Sequence, residues 1–466
     1  MFDIQARGST VAREVLGGLT TFASMSYILF VQPTVLRAAG MDAAAVFAVT
    51  CVSSMIGCLL MGFWANYPVA MAPGMGENFF FVFTLCGVGA SAGVFRLSWQ
   101  EALALTAVVG FLFLLLAKFG LPTSLLTAVP DSLKSGVAAG LGLFIAMVGF
   151  RWGNLITHDP ATCVRLEGLA GNPTAWLTLL GLAVMLLLTA WGVRGAVAAG
   201  ILITTLATWI AGKYLGAPPL QWHGLAAMPQ GITETAGALA GAFGSLGEKL
   251  ISANWLNLIV LGVVLLCLDM LDTVGTLVGV GGQAGLMRNG RLHNASRALA
   301  ADATGTIVGA ALGTSTVTSY IESVTGVAAG ARTGLAALVA GICMGAAVFL
   351  QPLAQMVAEG INIAPAGAEP LLRYPMIAAA MIFVGGVMMR AIRDIDWNDM
   401  TETLPGFLAA ITMPFTFSIP AGIAIGFVSY AFGKVVSGQP RKCPLVVYLL
   451  AGLFVLQQVL ACLPGR

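Results

Sequence analysis

Four carboxylates interrupt otherwise apolar stretches of this sequence, Glu77, Asp269, Asp272 and Glu322, and Asp302 lies near the entrance of another. A charged aspartate at mid-bilayer costs roughly 2.5–3.5 kcal/mol even on the lenient insertion scale. Several together approach the ~5–15 kcal/mol net stability of a whole domain, so a site explains them better than salt-bridged scaffolding does. Asp269 and Asp272 are three positions apart and on a helix share one face, within Leu268-Asp269-Met270-Leu271-Asp272-Thr273-Val274-Gly275-Thr276-Leu277. Two carboxylates so placed in a low dielectric do not both ionise, and a carboxyl that exchanges its proton near neutral pH is what proton coupling needs. None of the three histidines (His158, His223, His293) falls in an apolar run, which leaves the carboxylates as proton carriers. Gly275 and Gly279 are expected to let a neighbouring backbone come close to this helix.

Glu322 opens a short segment, Tyr320-Ile321-Glu322-Ser323-Val324-Thr325-Gly326. At the start of a helix its charge would lie beside free backbone N–H groups and the positive dipole end. The alternative role is simple capping, which the neighbouring serines and threonines could supply at lower cost. Asn78, in Gly74-Met75-Gly76-Glu77-Asn78-Phe79-Phe80, offers both donors and an acceptor. Phe79, Phe80 and Phe81 could stack on a flat ligand, although packing or lipid contact is the ordinary role of phenylalanine in such a chain.

The elements that hold these residues follow from composition. The chain has 466 residues, 58% hydrophobic and only 9% charged, against ~25% charged in a soluble domain. Its apolar runs are mostly ~17–22 residues long, and ~20 residues span a bilayer core. This reads as an all-α polytopic membrane protein. Spans are expected near 15–36, 44–62, 99–117, 133–150, 173–191, 194–213, 252–278, 298–312, 333–351, 373–392, 402–416 and 420–436, with a last run at 445–462. The first run is too long for a cleaved signal peptide and is expected to remain as a span. A net charge of +2 implies no nucleic acid and no strongly acidic partner. Six of the eight cysteines (Cys51, Cys58, Cys86, Cys267, Cys343, Cys462) sit in apolar runs and none has ligand spacing, so neither disulfide, metal nor cofactor is expected. Gly279-Val280-Gly281-Gly282-Gln283-Ala284 matches a dinucleotide pattern without the βαβ unit it requires, and the absence of GxxxxGK[ST] excludes an internal ATPase of that type.

Two segments, 74–86 and 320–331, are too short to cross: at 1.5 Å per residue they reach ~18–20 Å of a ~30 Å hydrocarbon core. Each follows a stretch unsuited to helix. Asn66-Tyr67-Pro68-Val69-Ala70-Met71-Ala72-Pro73 holds two prolines, and Gly313-Thr314-Ser315-Thr316-Val317-Thr318-Ser319-Tyr320 is rich in β-formers. Extended chain leading into a half-helix at membrane depth is tolerated only inside protein or along a cavity. Two such breaks at matching places in two halves point to a transporter's binding site; the alternative is a pair of surface re-entrant loops.

The halves correspond. Asn78 and Glu322 are 244 positions apart, and Pro130 with Val137-Ala138-Ala139-Gly140 returns as Pro370 with Ile377-Ala378-Ala379-Ala380 at an offset of 240. Each half has seven elements, and an odd number inverts the second half. The run at 445–462 is left over, as a further crossing or an interfacial helix. With the N-terminus cytoplasmic, fourteen of the 22 basic residues fall inside and seven outside, Arg466 being undecided, which favours that orientation. The loops 151–172 and 214–250 then face outward.

The chain resembles the nucleobase–cation symporters of the uracil/xanthine permease superfamily, in the adenine/guanine/hypoxanthine permease branch. The resemblance covers nearly the whole chain. It rests on Gly17-Gly18-Leu19-Thr20-Thr21-Phe22 with Tyr27-Ile28, Asn66-Tyr67-Pro68 leading to Ala72-Pro73-Gly74-Met75-Gly76, and Asp269 with Asp272-Thr273-Val274-Gly275-Thr276-Leu277. It continues through Gly313-Thr314-Ser315, Glu322-Ser323, Thr325-Gly326 and Gly330-Ala331-Arg332-Thr333-Gly334. It implies fourteen transmembrane segments in two inverted seven-segment repeats. The core domain would be 14–120 with 251–352, the gate domain 130–215 with 370–437, and an extra C-terminal helix would occupy 445–462. It also implies two short antiparallel strands preceding the half-helices.

By the same resemblance, the substrate carboxylate of segment ten is Glu322, the acid of segment eight is Asp272, and the polar residue of segment three is Asn78. Ser323, Thr276 and Phe79 complete the expected substrate site, and Asp272, Asp269 and Glu322 the proton-coupling set. Thr276 stands where uracil permeases carry a histidine. Glu77 departs from the family pattern, which is apolar there, and Gln32 stands where an asparagine usually precedes the proline. The expected activity is proton-coupled import of a purine nucleobase (adenine, guanine or hypoxanthine) across the cytoplasmic membrane by alternating access. Protons and the lipid bilayer are its other partners, and a homodimer is compatible with the sequence. The rival readings are an anion transporter of the same inverted-repeat fold, a related uracil/xanthine permease, a membrane-embedded enzyme, for which no nucleophile–base set is visible, and a passive channel, which needs no buried titratable carboxylates.

Overall fold

The structure, a computed structural model, describes residues 2–89, 95–119, 129–214, 220–252, 255–288, 291–364 and 371–461. The expected boundaries at 120, 215, 370 and 462, together with Pro370 and Cys462, lie outside these residues. Where they are described, the expected apolar runs are helical, the first of them as two helices, Val11–Met25 and Ile28–Arg37. Among the described residues, ten helices are long and apolar enough to cross a membrane, from Val11–Arg37 and Ala43–Ala65 to Pro375–Asp394 and Ile419–Val436. Three further helices occupy expected places without meeting that measure. Ala295–Leu312 is diluted by Arg297 and Asp302, while Met400–Thr416 and Leu445–Ala461 have only 17 residues each.

Helix starts carry the side chains their free N–H groups require. Asp42 Oδ1 accepts from the Ala45 amide at 2.7 Å. Ser98 and Glu101 satisfy each other's backbone in a reciprocal capping box. Close packing between helices depends on glycine, because lipid leaves van der Waals contact as the main attraction between them. A Cβ on Gly136 would lie 2.5 Å from the Gly406 carbonyl oxygen, and one on Gly385 would lie 2.4 Å from that of Gly142. The helix Asp131–Trp152 is thereby pressed against both Met400–Thr416 and Pro375–Met388.

The two broken segments meet at the centre. Met71–Pro73 pairs antiparallel with Val317–Ser319, with Met71 opposite Ser319, Ala72 opposite Thr318 and Pro73 opposite Val317. The Gly74 amide donates to Thr316 O at 3.1 Å and the Tyr320 amide to Ala70 O at 2.9 Å, extending the ladder at both ends. Both strands are buried, so the breaks are not surface loops, and the irregular backbone is satisfied inside protein. Met75–Phe79 then leads into a π-helical turn, Phe80–Leu85, while Ser323–Ala328 follows the second strand.

The connections hold more structure than their composition suggests. Four two-stranded sheets occur among the described residues, so the architecture is mainly rather than purely helical. Within the 151–172 loop, Ile156–Asp159 pairs with Cys163–Leu166. The 214–250 loop contains Ala238–Ile251, a helix that buries Ala242 and Leu246. Lys249 on that helix pairs with Glu101 at 2.6 Å, fastening it to Trp99–Lys118.

Candidate functional site

The 29-residue helix Trp255–Gln283 carries Asp269, Asp272 and Thr276 past the crossed strands. Asp272 faces a cavity of about 530 Å3, whose wall also includes Glu77 on the first half-helix, Thr276, and Lys134 on Asp131–Trp152. Its Oδ2 accepts from Thr318 Oγ1 at 3.1 Å, which fixes the carboxylate to the strand Val317–Ser319. Thr276, one turn further on, borders the same cavity.

Glu322 lies within electrostatic reach of Asp272. It occupies the cap position of Ser323–Ala328 but makes no side-chain capping bond. Instead, Glu322 Oε1 accepts from the Tyr27 hydroxyl at 2.8 Å, so the capping alternative does not describe it. Ser323 Oγ accepts from the Ala70 amide at 3.0 Å and locks the turn that carries Glu322 onto the opposite strand.

Asp269 is turned the other way. It is fully buried, with Oδ2 3.5 Å from Thr306 Oγ1 and Oδ1 unpartnered among the described residues. The i, i+3 pair therefore does not present both carboxylates to the cavity. The two glycines beyond it do not admit a neighbouring backbone either. Gly275 faces open space and lines the cavity, and a Cβ on Gly279 would meet only the Ile321 side chain.

Asn78 and Phe79 also lie away from the cavity wall. Asn78 is fully buried; its Oδ1 accepts from Ser315 Oγ, and its Nδ2 has no partner among the described residues. Phe79 is fully buried, with Phe83 stacked on it at 5.8 Å and Phe144 edge-on at 6.4 Å. Its ring is occupied by packing and does not border the cavity.

Several residues that spacing could not nominate complete the arrangement. Asp302 is fully buried and bridges two elements, accepting from Ser319 Oγ at 2.6 Å and Thr273 Oγ1 at 2.7 Å. Gln32 Nε2 donates to Thr314 Oγ1 at 2.9 Å and Ser315 Oγ at 3.1 Å, and so supports the chain leading into the second strand. Tyr27, Gln32 and Asp302 each reach a partner through the fold. Tyr27 stood in the family pattern, Gln32 against it and Asp302 near a span entrance, but nothing in the sequence showed which partners they reach.

A second cavity of about 430 Å3 lies toward the other end of Asp131–Trp152, bordered by Met147, Arg151, His158 and Phe417. On that helix, Phe144 stands between Leu141, which borders the first cavity, and Met147, which borders the second. Phe144 packs 5.0 Å from Phe417, and Phe83 packs 5.3 Å from the same ring. Aromatic side chains thus fill the region between the two cavities.

The family model described as "Permease family" (Xan_ur_permease) matches residues 12–425. The chain belongs to that family. A putative permease of Methanocaldococcus jannaschii is 37% identical to this permease over 98% of the chain and 97% of the relative. The guanine/hypoxanthine permease PbuG of Bacillus subtilis is 37% identical over 98% of each. The adenine permease AdeP of Escherichia coli is 35% identical over 98% of the chain and 95% of the relative. These relationships place the chain among transporters rather than enzymes and bear out the resemblance to the purine branch.

Solved structures share the fold at low identity. The transmembrane domain of a cyanobacterium bicarbonate transporter, BicA, superposes with a TM-score of 0.61 at 14% identity, over 89% of this permease and 96% of that chain. SLC26A9 gives 0.58 at 13% identity, over 92% and 65%.

Proposed function

We propose that this permease is a proton-coupled symporter that imports purine nucleobases across the cytoplasmic membrane by alternating access. The observation that carries this reading is Asp272 on the cavity wall, held by Thr318 and neighboured by Glu322. Asp272 on the wall, with Glu322 within electrostatic reach of it but off the lining, suits the N–H donors of a small aromatic heterocycle, and about 530 Å3 lies within the ~300–1,000 Å3 of ligand pockets. The B. subtilis and E. coli relatives, named for guanine, hypoxanthine and adenine, supply the substrate class.

In this mechanism Asp272 and Glu322 accept hydrogen bonds from ring N–H and exocyclic amino groups. Thr276 offers its hydroxyl on the same wall. Ser323 positions Glu322, and Asn78 and Phe79 hold the first half-helix from behind. Each charge-assisted bond contributes ~1.5–3 kcal/mol, so two or three give micromolar binding. Asp272, Asp269 and Glu322 are the candidate proton carriers. Protonation neutralises the loaded site, after which a core domain (14–120 and 251–352) moves against a gate domain (130–215 and 370–437). Fourteen segments in two inverted repeats, with a cytoplasmic N-terminus and an extra helix at 445–462, are the architecture this motion uses. One charge crossing ~100 mV is worth about 2.3 kcal/mol, or ~50-fold accumulation.

The test is uptake of labelled adenine, guanine, hypoxanthine, xanthine and uracil with and without a protonophore. Purine uptake that collapses on adding the protonophore is expected; no uptake of any base rejects the reading. The fold likeness to BicA and SLC26A9 favours one rival, anion transport. Bicarbonate or sulfate uptake that purines do not inhibit would select it.

A further inference from the structure

Glu77 borders the central cavity and has no part in the mechanism above. Its side chain is 2% exposed, and Oε2 has no hydrogen-bond partner among the described residues. The carboxylate lies where a side chain at position 74 would begin: a Cβ on Gly74 would be 2.2 Å from Glu77 Oε2 and 3.2 Å from the Thr318 methyl. A side chain there would displace the carboxylate. Glu77 is thereby brought beside Thr318, the residue whose hydroxyl holds Asp272, and within electrostatic reach of Asp272 itself. The wall carries three acidic side chains, Glu77 from the first half of the molecule and Asp272 and Asp394 from the second, and Glu77 has an oxygen unmet among the described residues.

A carboxyl keeps a bare acceptor oxygen whether or not it carries its proton, and an unmet buried acceptor is destabilising. A ligand edge bearing an amino group brings two N–H donors to such a wall. A carbonyl in the same place brings only lone pairs and leaves that oxygen unmet. We propose that Glu77 contacts the substrate and selects purines that carry an exocyclic amino group over hypoxanthine, which carries none, an inference that rests on the purine-transport reading. Guanine and hypoxanthine differ only by the amino group at C2, which isolates the effect, while adenine and hypoxanthine differ by amino against oxo at C6 and by the proton on N1. A site built to hydrogen-bond a polar group discriminates against the analogue lacking it more strongly than an apolar pocket does.

The experiment is competition by adenine, guanine and hypoxanthine for labelled-purine uptake in proteoliposomes holding the full chain, as wild type, Glu77→Gln and Glu77→Leu, with protein level and melting recorded for each. The wild type is expected to favour at least one amino purine over hypoxanthine by about tenfold or more, the factor one charge-assisted bond supplies. Both variants are expected to bring that ratio within about threefold. A wild-type ratio below about threefold, a preference for hypoxanthine, or a ratio unchanged in the variants overturns the inference while leaving purine transport standing. The wild-type ratio can overturn the inference even if one variant does not fold, and the other variant then carries the assignment to Glu77. Absence of any purine uptake by the wild type overturns both.

Discussion

The Tyr27 hydroxyl donates a 2.8 Å hydrogen bond to Glu322 Oε1, across 295 positions of sequence. Tyr27 lies where the first spanning segment breaks between Val11–Met25 and Ile28–Arg37, so the break places a phenol against the second half-helix. Tyr27→Phe removes the donor and keeps the ring. Hydrogen bonds to charged groups contribute ~1.5–3 kcal/mol, so the KM for purine uptake is expected to change by roughly tenfold or more with protein levels unaltered. An uptake curve identical to wild type would remove Tyr27 from the site.

Asp272 sits on an open cavity wall rather than in the packed core, so its loss is expected to affect transport more than folding. Asp272→Asn should abolish protonophore-sensitive uptake while its melting temperature stays within a few degrees of wild type. Thr318→Val, which removes the hydroxyl holding Oδ2, should raise KM and preserve proton coupling. Measured side by side, uptake and melting separate the two roles.

Close helix packing gives a stability prediction. Gly136→Val places branched carbon where a Cβ already lies 2.5 Å from Gly406 O. Overpacking of this kind costs ~1–3 kcal/mol or more. Melting of the detergent-solubilised protein should fall clearly for Gly136→Val and less for Gly136→Ala.

Lys434 is buried, with a side chain 3% exposed, 2.7 Å from Glu402 Oε1 and 3.6 Å from Asp399 Oδ2. It also donates to Thr401 Oγ1 at 2.6 Å. Among the described residues, Lys434→Met leaves Glu402 with the Tyr430 hydroxyl as its side-chain donor, and it is expected to destabilise by ~3–5 kcal/mol. The double change Lys434→Met with Glu402→Gln should regain much of that loss in the same melting assay, because the uncompensated charge is gone.

Helix positions were legible because bilayer crossing demands long apolar runs, and the runs read from hydropathy are helical where they are described. The breaks before Met75 and Ser323 were legible through Pro68, Pro73 and the threonine-rich stretch 314–318. Their pairing came from the family resemblance, and composition alone could not supply it. Ala238–Ile251 escaped because Gly241, Gly244 and Gly247 weaken helix propensity, and only its contact with Trp99–Lys118 makes it worthwhile. Within the site, acid residues announced themselves, but their directions did not. Asp269 and Asp272 share a spacing rule, yet one packs against Thr306 and the other meets the cavity, because helix faces are divided by neighbours the sequence does not display. Asp302 looked peripheral since alanines and glycines around it conceal how deep its helix lies.

The crossed strands have a consequence for biogenesis. Residues 70–74 have their backbone partners at 316–320, on a part of the chain that leaves the ribosome some 240 residues later. Until then the early strand must wait in the membrane with its amides and carbonyls unmatched, an arrangement a translocon or chaperone has to shelter. A message truncated between the halves should therefore yield a fragment that the cell's membrane proteases remove, however many hydrophobic helices it has already threaded.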